Sequence, residues 1–215
     1  MHLKRQKIPK NWPIKRKGTK YLVRPNSNLT KGIPILIILR DMLKVAQNRR
    51  EVKRIIHSKQ LLLNNKFVKD DKACAVLFDT LEIVPSKKFY KISLAKTGKF
   101  TTEEIKKEES NHKISKIVNK KILKGKKIQI NLSEGRNFIS NVKCKINDSL
   151  LTNFKDKKVE KCIPMKEKGN AIAFAGKHAG IKGSIEKIDH ERKIAEINIG
   201  ERKINVLLKQ LMVIE

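Results

Sequence analysis

The apolar residues of this chain never run far enough to build one large core. The longest stretch, Ile33 to Leu39, is already interrupted by Pro34. A membrane-spanning helix needs about 20 apolar residues in succession. Elsewhere the apolar residues come as short groups, separated by Lys, Gly, Asn and Asp, which predicts several small cores. Charge narrows the choice further. The chain carries 51 Lys+Arg against 21 Asp+Glu over 215 residues, a formal charge of +30. Such a surface repels itself in water unless a polyanion screens it. The natural partners are nucleic acid or an anionic membrane, and the absence of a long amphipathic helix disfavours the membrane.

Catalysis finds little support. The N-terminus is basic without an apolar segment behind it, so it does not read as a signal peptide. Cys74, Cys144 and Cys162 are widely spaced and form neither a disulfide framework nor a zinc pair, which suggests a reducing, intracellular compartment. His2, His57, His112, His178 and His190 lie far apart, with no Cys or His at metal-ligand spacing. Carboxylates sit mostly beside lysines, as Glu103-Glu104 does near Lys106-Lys107, and pair as surface charges rather than as an acid and a base. The glycine-rich segment Gly176 to Gly183 has no Lys-Ser/Thr after its last glycine and leads into strand-like residues, so it is not a nucleotide-hydrolysis loop. We therefore expect no enzyme, no catalytic residue, no metal, no cofactor and no small-molecule substrate.

The expected organisation is α+β and multi-module. Residues 1–32 read as a basic N-terminal arm. Residues 1–40 hold eleven Lys+Arg and no Asp or Glu. Residues 33–88 read as a small helix-helix-hairpin RNA-binding domain. Gly32-Ile33-Pro34 looks like a helix start, and Ile35, Leu36, Leu39, Met42, Leu43 and Ala46 follow at helical spacing. A second helix runs roughly from Arg49 to Ser58. A hairpin follows, Leu61-Leu62-Leu63 and Phe67-Val68, turned at Asn64-Asn65.

Residues 89–167 read as a central β barrel, with strand-like Phe89 to Leu94, Ile128 to Ile130, Phe138-Ile139, Val142 to Ile146 and Val159 to Ile163. Thr101-Thr102-Glu103-Glu104 has the form of a capping box opening a short helix, and Asn147-Asp148-Ser149 that of a turn. Residues 168–215 read as a last small barrel. Its strands are expected at Ala171 to Ala175, Ile185 to Ile188, Lys193 to Ile199 and Lys203 to Leu207. Asp189 to Glu191 and Gly200-Glu201 are the expected turns, and 208–214 closes the module.

Arginine is the more informative cation here. Of the 51 basic residues, 41 are Lys and ten are Arg, a skew that an AT-rich coding bias would produce regardless of contact. Arginine's planar fork suits phosphates and base edges. The candidate contacts in the arm are Lys4, Arg5, Lys7, Lys10, Lys15, Arg16, Lys17 and Arg24, with Trp12 docking on a fold or a base. The helical region offers Arg40, Lys44, Arg49, Arg50, Lys53 and Arg54, and the hairpin Lys59 and Lys66. The last module offers Lys177, His178 and Lys182 around a loop shaped by Gly176, Gly180 and Gly183, where glycine lets backbone approach backbone or phosphate.

Several segments resemble one family from the N-terminus almost to the end. They are His2-Leu3-Lys4-Arg5, Pro9-Lys10-Asn11-Trp12, Arg24-Pro25, Ile33-Pro34-Ile35-Leu36-Ile37-Ile38-Leu39-Arg40, Glu51-Val52-Lys53-Arg54-Ile55 and Lys96-Thr97-Gly98-Lys99-Phe100. Together they resemble the archaeal/eukaryotic-type family of small ribosomal subunit protein four. The Gly176 to Gly183 loop and its flanking strands resemble a KOW module, an SH3-like barrel that contacts RNA. The resemblance implies several modules assembled on small-subunit rRNA beside neighbouring ribosomal proteins, in the cytoplasm and without catalysis. It differs from the family at the hairpin turn, where Asn64-Asn65 replaces Asp-Gly, and in the loop, where His178 replaces Asn. The alternatives are a KOW-type RNA-binding factor, or an RNA-modification accessory, that associates transiently with rRNA.

Overall fold

A computed structural model describes residues 2–140, 142–200 and 202–214. The chain divides into two compact units, Met1–Ala95 with Lys99–Asn111, and Lys96–Gly98 with His112–Glu215. Among the described residues the architecture is mostly β, with two short α-helical segments and several single 3-10 turns. The units part at Asn111–His112, so the expected division at 88/89 falls inside the first unit.

The first unit opens with β1 (Leu3–Lys4) pairing with β2 (Tyr21–Leu22). Residues 1–32 were expected as an arm, yet Leu3, Trp12 and Val23 are buried in this unit. Trp12 is only 2% exposed and donates its indole N–H to the Gly32 carbonyl at 3.0 Å. Gly32–Pro34, expected to start a helix, forms strand β3 and pairs with Cys74–Val76. The helical turns begin one residue later, as α1 (Ile35–Ile37) continuing in a wider π-type turn through Ile38–Met42. They stop there rather than at Ala46, and Lys44 takes a left-handed φ of 54°.

Helix α2 (Arg49–His57) falls close to its expected bounds. Asn48 caps it by accepting the Glu51 N–H at 3.1 Å, and Glu51 reaches back to the Gln47 N–H at 2.7 Å. This reciprocal cap satisfies donors that a helix start leaves open. Val52 and Ile56 face the core. Strands β4 (Leu61–Leu63) and β5 (Lys66–Phe67) form the hairpin, with Asn64 and Asn65 at φ 50° and 59°. Asn64 is also internal glue, accepting the Thr80 N–H at 3.0 Å and donating to Asp79 at 2.8 Å. Strands β6 (Cys74–Val76), β7 (Thr80–Ile83), β8 (Lys88–Leu94) and β9 (Phe100–Ile105) follow. The larger sheet runs β5-β4-β7-β8-β9. Thr101–Glu104 therefore lies in a strand, not a capped helix: the segment pairs along the whole of β8, Phe100 with Leu94 through Ile105 with Phe89.

The second unit is built on a long strand, β10 (His112–Ile122). It is followed by β11 (Ile128–Leu132), β12 (Asn137–Ile139), β13 (Ser149–Asn153) and β14 (Lys158–Ile163), in the order β12-β11-β10-β13-β14. The first half of β10 pairs with β13 and its second half with β11, with a bulge between Ile117 and Asn119. Val142–Ile146, expected as a strand, is a loop organised by Asp148. Its buried carboxylate accepts the N–H groups of Lys145 at 2.6 Å and Met165 at 3.0 Å. The expected turn at 147–149 gives way at Ser149 to β13.

The remaining strands are β15 (Asn170–Ala173), β16 (Lys182–Asp189), β17 (Ile194–Ile199), β18 (Arg202–Leu207) and β19 (Leu211–Val213), ordered β18-β17-β16-β15-β19. The closing strand expected in 208–214 is β19, reached through a single turn at Leu208–Gln210. Glu201 of the expected Gly200-Glu201 turn lies outside the described residues. Gly183, expected in the loop, sits inside β16, where a Cβ would collide with the Asn198 carbonyl oxygen.

Two lysines of β10 are internal. Lys113 is paired with Glu134, and Ser115 donates to the same carboxylate at 2.9 Å. Lys116 is 3% exposed and donates from Nζ to the carbonyls of Leu208 and Leu211. It thereby ties β10 to the start of β19. Burial pulls the Lys116 ammonium down to a pKa of about 8. The unfolded chain holds this proton to the ordinary lysine value, so between pH 8 and about 10.5 it binds more protons than the folded chain, and stability rises with pH. The expected result is that wild type gains up to roughly 3 kcal/mol relative to Lys116→Met across this window. Chemical denaturation of both proteins at pH 7, 8, 9 and 10 checks it; parallel pH profiles would count against the buried ammonium.

Candidate nucleic-acid interface

The cations of the first unit fall into those that build it and those that face outward. Arg5 belongs to the first group. Its Nε donates to the Thr19 carbonyl at 2.7 Å, one terminal nitrogen to the Lys15 carbonyl at 2.6 Å, and the other to the Thr19 hydroxyl at 3.0 Å. It closes the loop between β1 and β2. Arg49 is similar: its Nε meets the buried Asp71 carboxylate at 2.7 Å. Arg40 is half-buried and paired with its neighbour Asp41 at 2.8 Å. Trp12 docks on the fold, one of the two outcomes expected for it, and its buried ring cannot stack on a base. These four residues, expected as contacts, are engaged within the fold.

What remains outward forms two groups. On α2, Arg50, Lys53 and Arg54 are exposed at helical spacing with His57, opposite Val52 and Ile56. In the N-terminal segment, Lys4, Lys7, Lys10, Lys15, Arg16, Lys17 and Arg24 are all exposed. Lys44, Lys59 and Lys66 are exposed singly, Lys44 and Lys59 at left-handed backbone positions. The aromatic chemistry assigned to Trp12 is available at Tyr21. Its ring is 48% exposed, lies 5.3 Å from the His2 ring, and has the Lys20 ammonium 5.5 Å from its centroid. An aromatic next to a lysine in an acid-free segment was the signal for it.

In the second unit the glycine loop spans Phe174 to Ile181. Gly176 and Gly180 take φ of 86° and 88°, which L side chains resist. The end of the loop is tied down by backbone hydrogen bonds: Gly180 N–H bonds the Ala173 carbonyl at 2.7 Å and Ile181 N–H that of His178 at 3.2 Å. Lys177 is exposed in the middle of the loop and Lys182 just past its end, and His178 is half-buried. The sequence reading missed a further cationic element, the β10–β11 hairpin. Residues 110–133 contain no Asp or Glu. Lys113 and Lys116 at its base are internal, whereas Lys121, Lys124 and Lys127 are exposed near its tip. This geometry can neutralise phosphates and stack a base, and it places outward cations in both units.

Comparison with known proteins gives the same direction. Residues 86–159 match the model of Ribosomal family S4e, and residues 1–27 match the RS4NT domain. The chain is 34% identical to the small ribosomal subunit protein eS4 of Methanocella arvoryzae, over 90% of this chain and 83% of that one. It is 32% identical to the eS4 protein of Methanothermobacter thermautotrophicus, over 97% and 89%. The crystal structure of the 30S ribosomal protein S4e from Thermoplasma acidophilum superimposes with a TM-score of 0.74 at 26% identity, covering 86% of this chain and 95% of that one. With that identity sustained over most of both chains, and a shared fold, the chain belongs to the small ribosomal subunit protein eS4 family.

Proposed function

We propose that this chain is a structural constituent of the small ribosomal subunit that binds small-subunit rRNA and supports its assembly, in the cytoplasm and beside neighbouring ribosomal proteins. The eS4 family is one of non-enzymatic ribosomal components. The observation that carries the reading is the sorting of cations. Arg5, Arg49, Lys113 and Lys116 are held by internal partners, while Arg50, Lys53, Arg54 and the N-terminal lysines have their charge in solvent. Outward cations displace condensed counterions from rRNA phosphates, which supplies most of the affinity. In this reading the α2 face and hairpin act as an RNA-binding module. Tyr21 supplies a stacking surface, and residues 168–215 act as a KOW-type SH3-like barrel presenting Lys177 and Lys182. Position is set by phosphate and 2′-OH contacts.

Fractionation of native extract on a sucrose gradient tests the reading. The chain is expected to stay with the small subunit through a high-salt wash. Recovery in the light fractions would favour a transient KOW-type factor.

Substitutions should separate the two classes of cation. Reversing Arg50, Lys53 and Arg54 to Glu is expected to prevent retention while leaving the melting temperature of the free protein unchanged. Arg49→Ala is expected to do the opposite, lowering stability by about 1–3 kcal/mol because Asp71 is left buried without its partner. Tyr21→Ala is expected to weaken rRNA binding by roughly 1–3 kcal/mol with no effect on melting. Equal melting of the Arg49 variant and wild type would remove its structural role.

A further inference from the structure

The hairpin between β10 and β11 has chemistry beyond positive charge. Its loop is closed by the Leu123 N–H donating to the Lys127 carbonyl at 2.8 Å, and Gly125 makes the turn at φ 78°. Ile122 at its end is 75% exposed, and Ile139 on the neighbouring strand is 63% exposed. The register puts them on opposite faces. Ile122 opposes Ile128, two residues along from Lys120, which opposes the buried Ile130. Ile139 opposes Gln129, which opposes Lys121. Each face of the ribbon therefore carries one exposed isoleucine beside lysines. The pairing of β10 with β13 ends at Lys116, so the outer edge of the ribbon beyond the bulge carries no strand among the described residues. Each face thus offers an apolar side chain together with cations to a partner.

We infer that the β10–β11 hairpin is an RNA-docking finger that lies in the wide, shallow minor groove of A-form rRNA. Ile122 and Ile139 pack on ribose faces, and Lys121, Lys124 and Lys127 meet the flanking phosphates. Charge complementarity selects this occupant: no carboxylate occurs between residues 110 and 133, and the two lysines at the base are already satisfied inside the protein. A ribbon whose β10 edge is open beyond the bulge, with β12 on its other side, suits a groove whose recognition is by shape, 2′-OH and phosphate. The inference rests on the rRNA-binding function proposed above and names a site within it.

Salt titrations of the full chain on naked small-subunit rRNA test it. Lys121→Glu/Lys124→Glu/Lys127→Glu is expected to flatten the dependence of log Kobs on log salt by about 2–3. Ile122→Ser/Ile139→Ser is expected to weaken binding about 3- to 10-fold with the slope unchanged. Circular dichroism melting like that of wild type shows that both variants are folded. If wild type binds and both variants match it, the finger is overturned while the rRNA-binding function stands. That holds also when the variants are lost from whole subunits, since that pattern assigns the hairpin to a protein neighbour. A wild-type chain that fails to bind naked rRNA overturns the function and the finger together.

Discussion

Thirty uncompensated positive charges repel one another across this chain, and each element that folds must place its cations against that repulsion. The fold does so in two ways. A few cations are given oxygens within the fold: the buried Lys116 two backbone carbonyls, the buried Lys113 the Glu134 carboxylate, the half-exposed Arg49 the buried Asp71 carboxylate, and Arg5 the carbonyls of Lys15 and Thr19. The others are turned to solvent on short elements whose opposite faces are apolar, as on α2. Short strands and small cores follow from the same limit, because no apolar run is long enough for more.

The internal cations also explain where sequence patterning misleads. In β10 the alternation of apolar and polar residues is broken by Lys113 and Lys116, which look like surface residues and are among the most buried. The pattern therefore hides how far the strand runs. Thr101–Glu104 carries local capping chemistry, but pairing with β8 overrides it. Val142–Ile146 has strand-like composition, yet Asp148 collects its backbone donors into a loop. Where local chemistry and tertiary demand agree, the reading is accurate. Asn64 and Asn65 tolerate the positive φ of the hairpin turn, and α2 falls close to its expected bounds.

The outward cations were legible as a class and less so one by one. Composition points to a polyanion as partner, but a guanidinium on a loop reads the same whether it faces solvent or staples a backbone. Arg5 and Arg49 staple; Arg50 and Arg54 face outward. Trp12 was conspicuous because it is the single Trp, and it is conspicuous for packing. Tyr21, less noticeable in the sequence, has the exposed ring. The hairpin lysines were hidden among many others, and only the strand register shows which of them project.

The account stands on the division between inward and outward cations, and amine labelling measures it directly. Reductive methylation of the free, folded chain, read residue by residue by mass spectrometry, should leave Lys113 and Lys116 unmodified while Lys53, Lys121 and Lys177 react fully. In the small subunit those three should become protected as well. Labelling of Lys116 at the rate of Lys121 in the free protein would contradict the account.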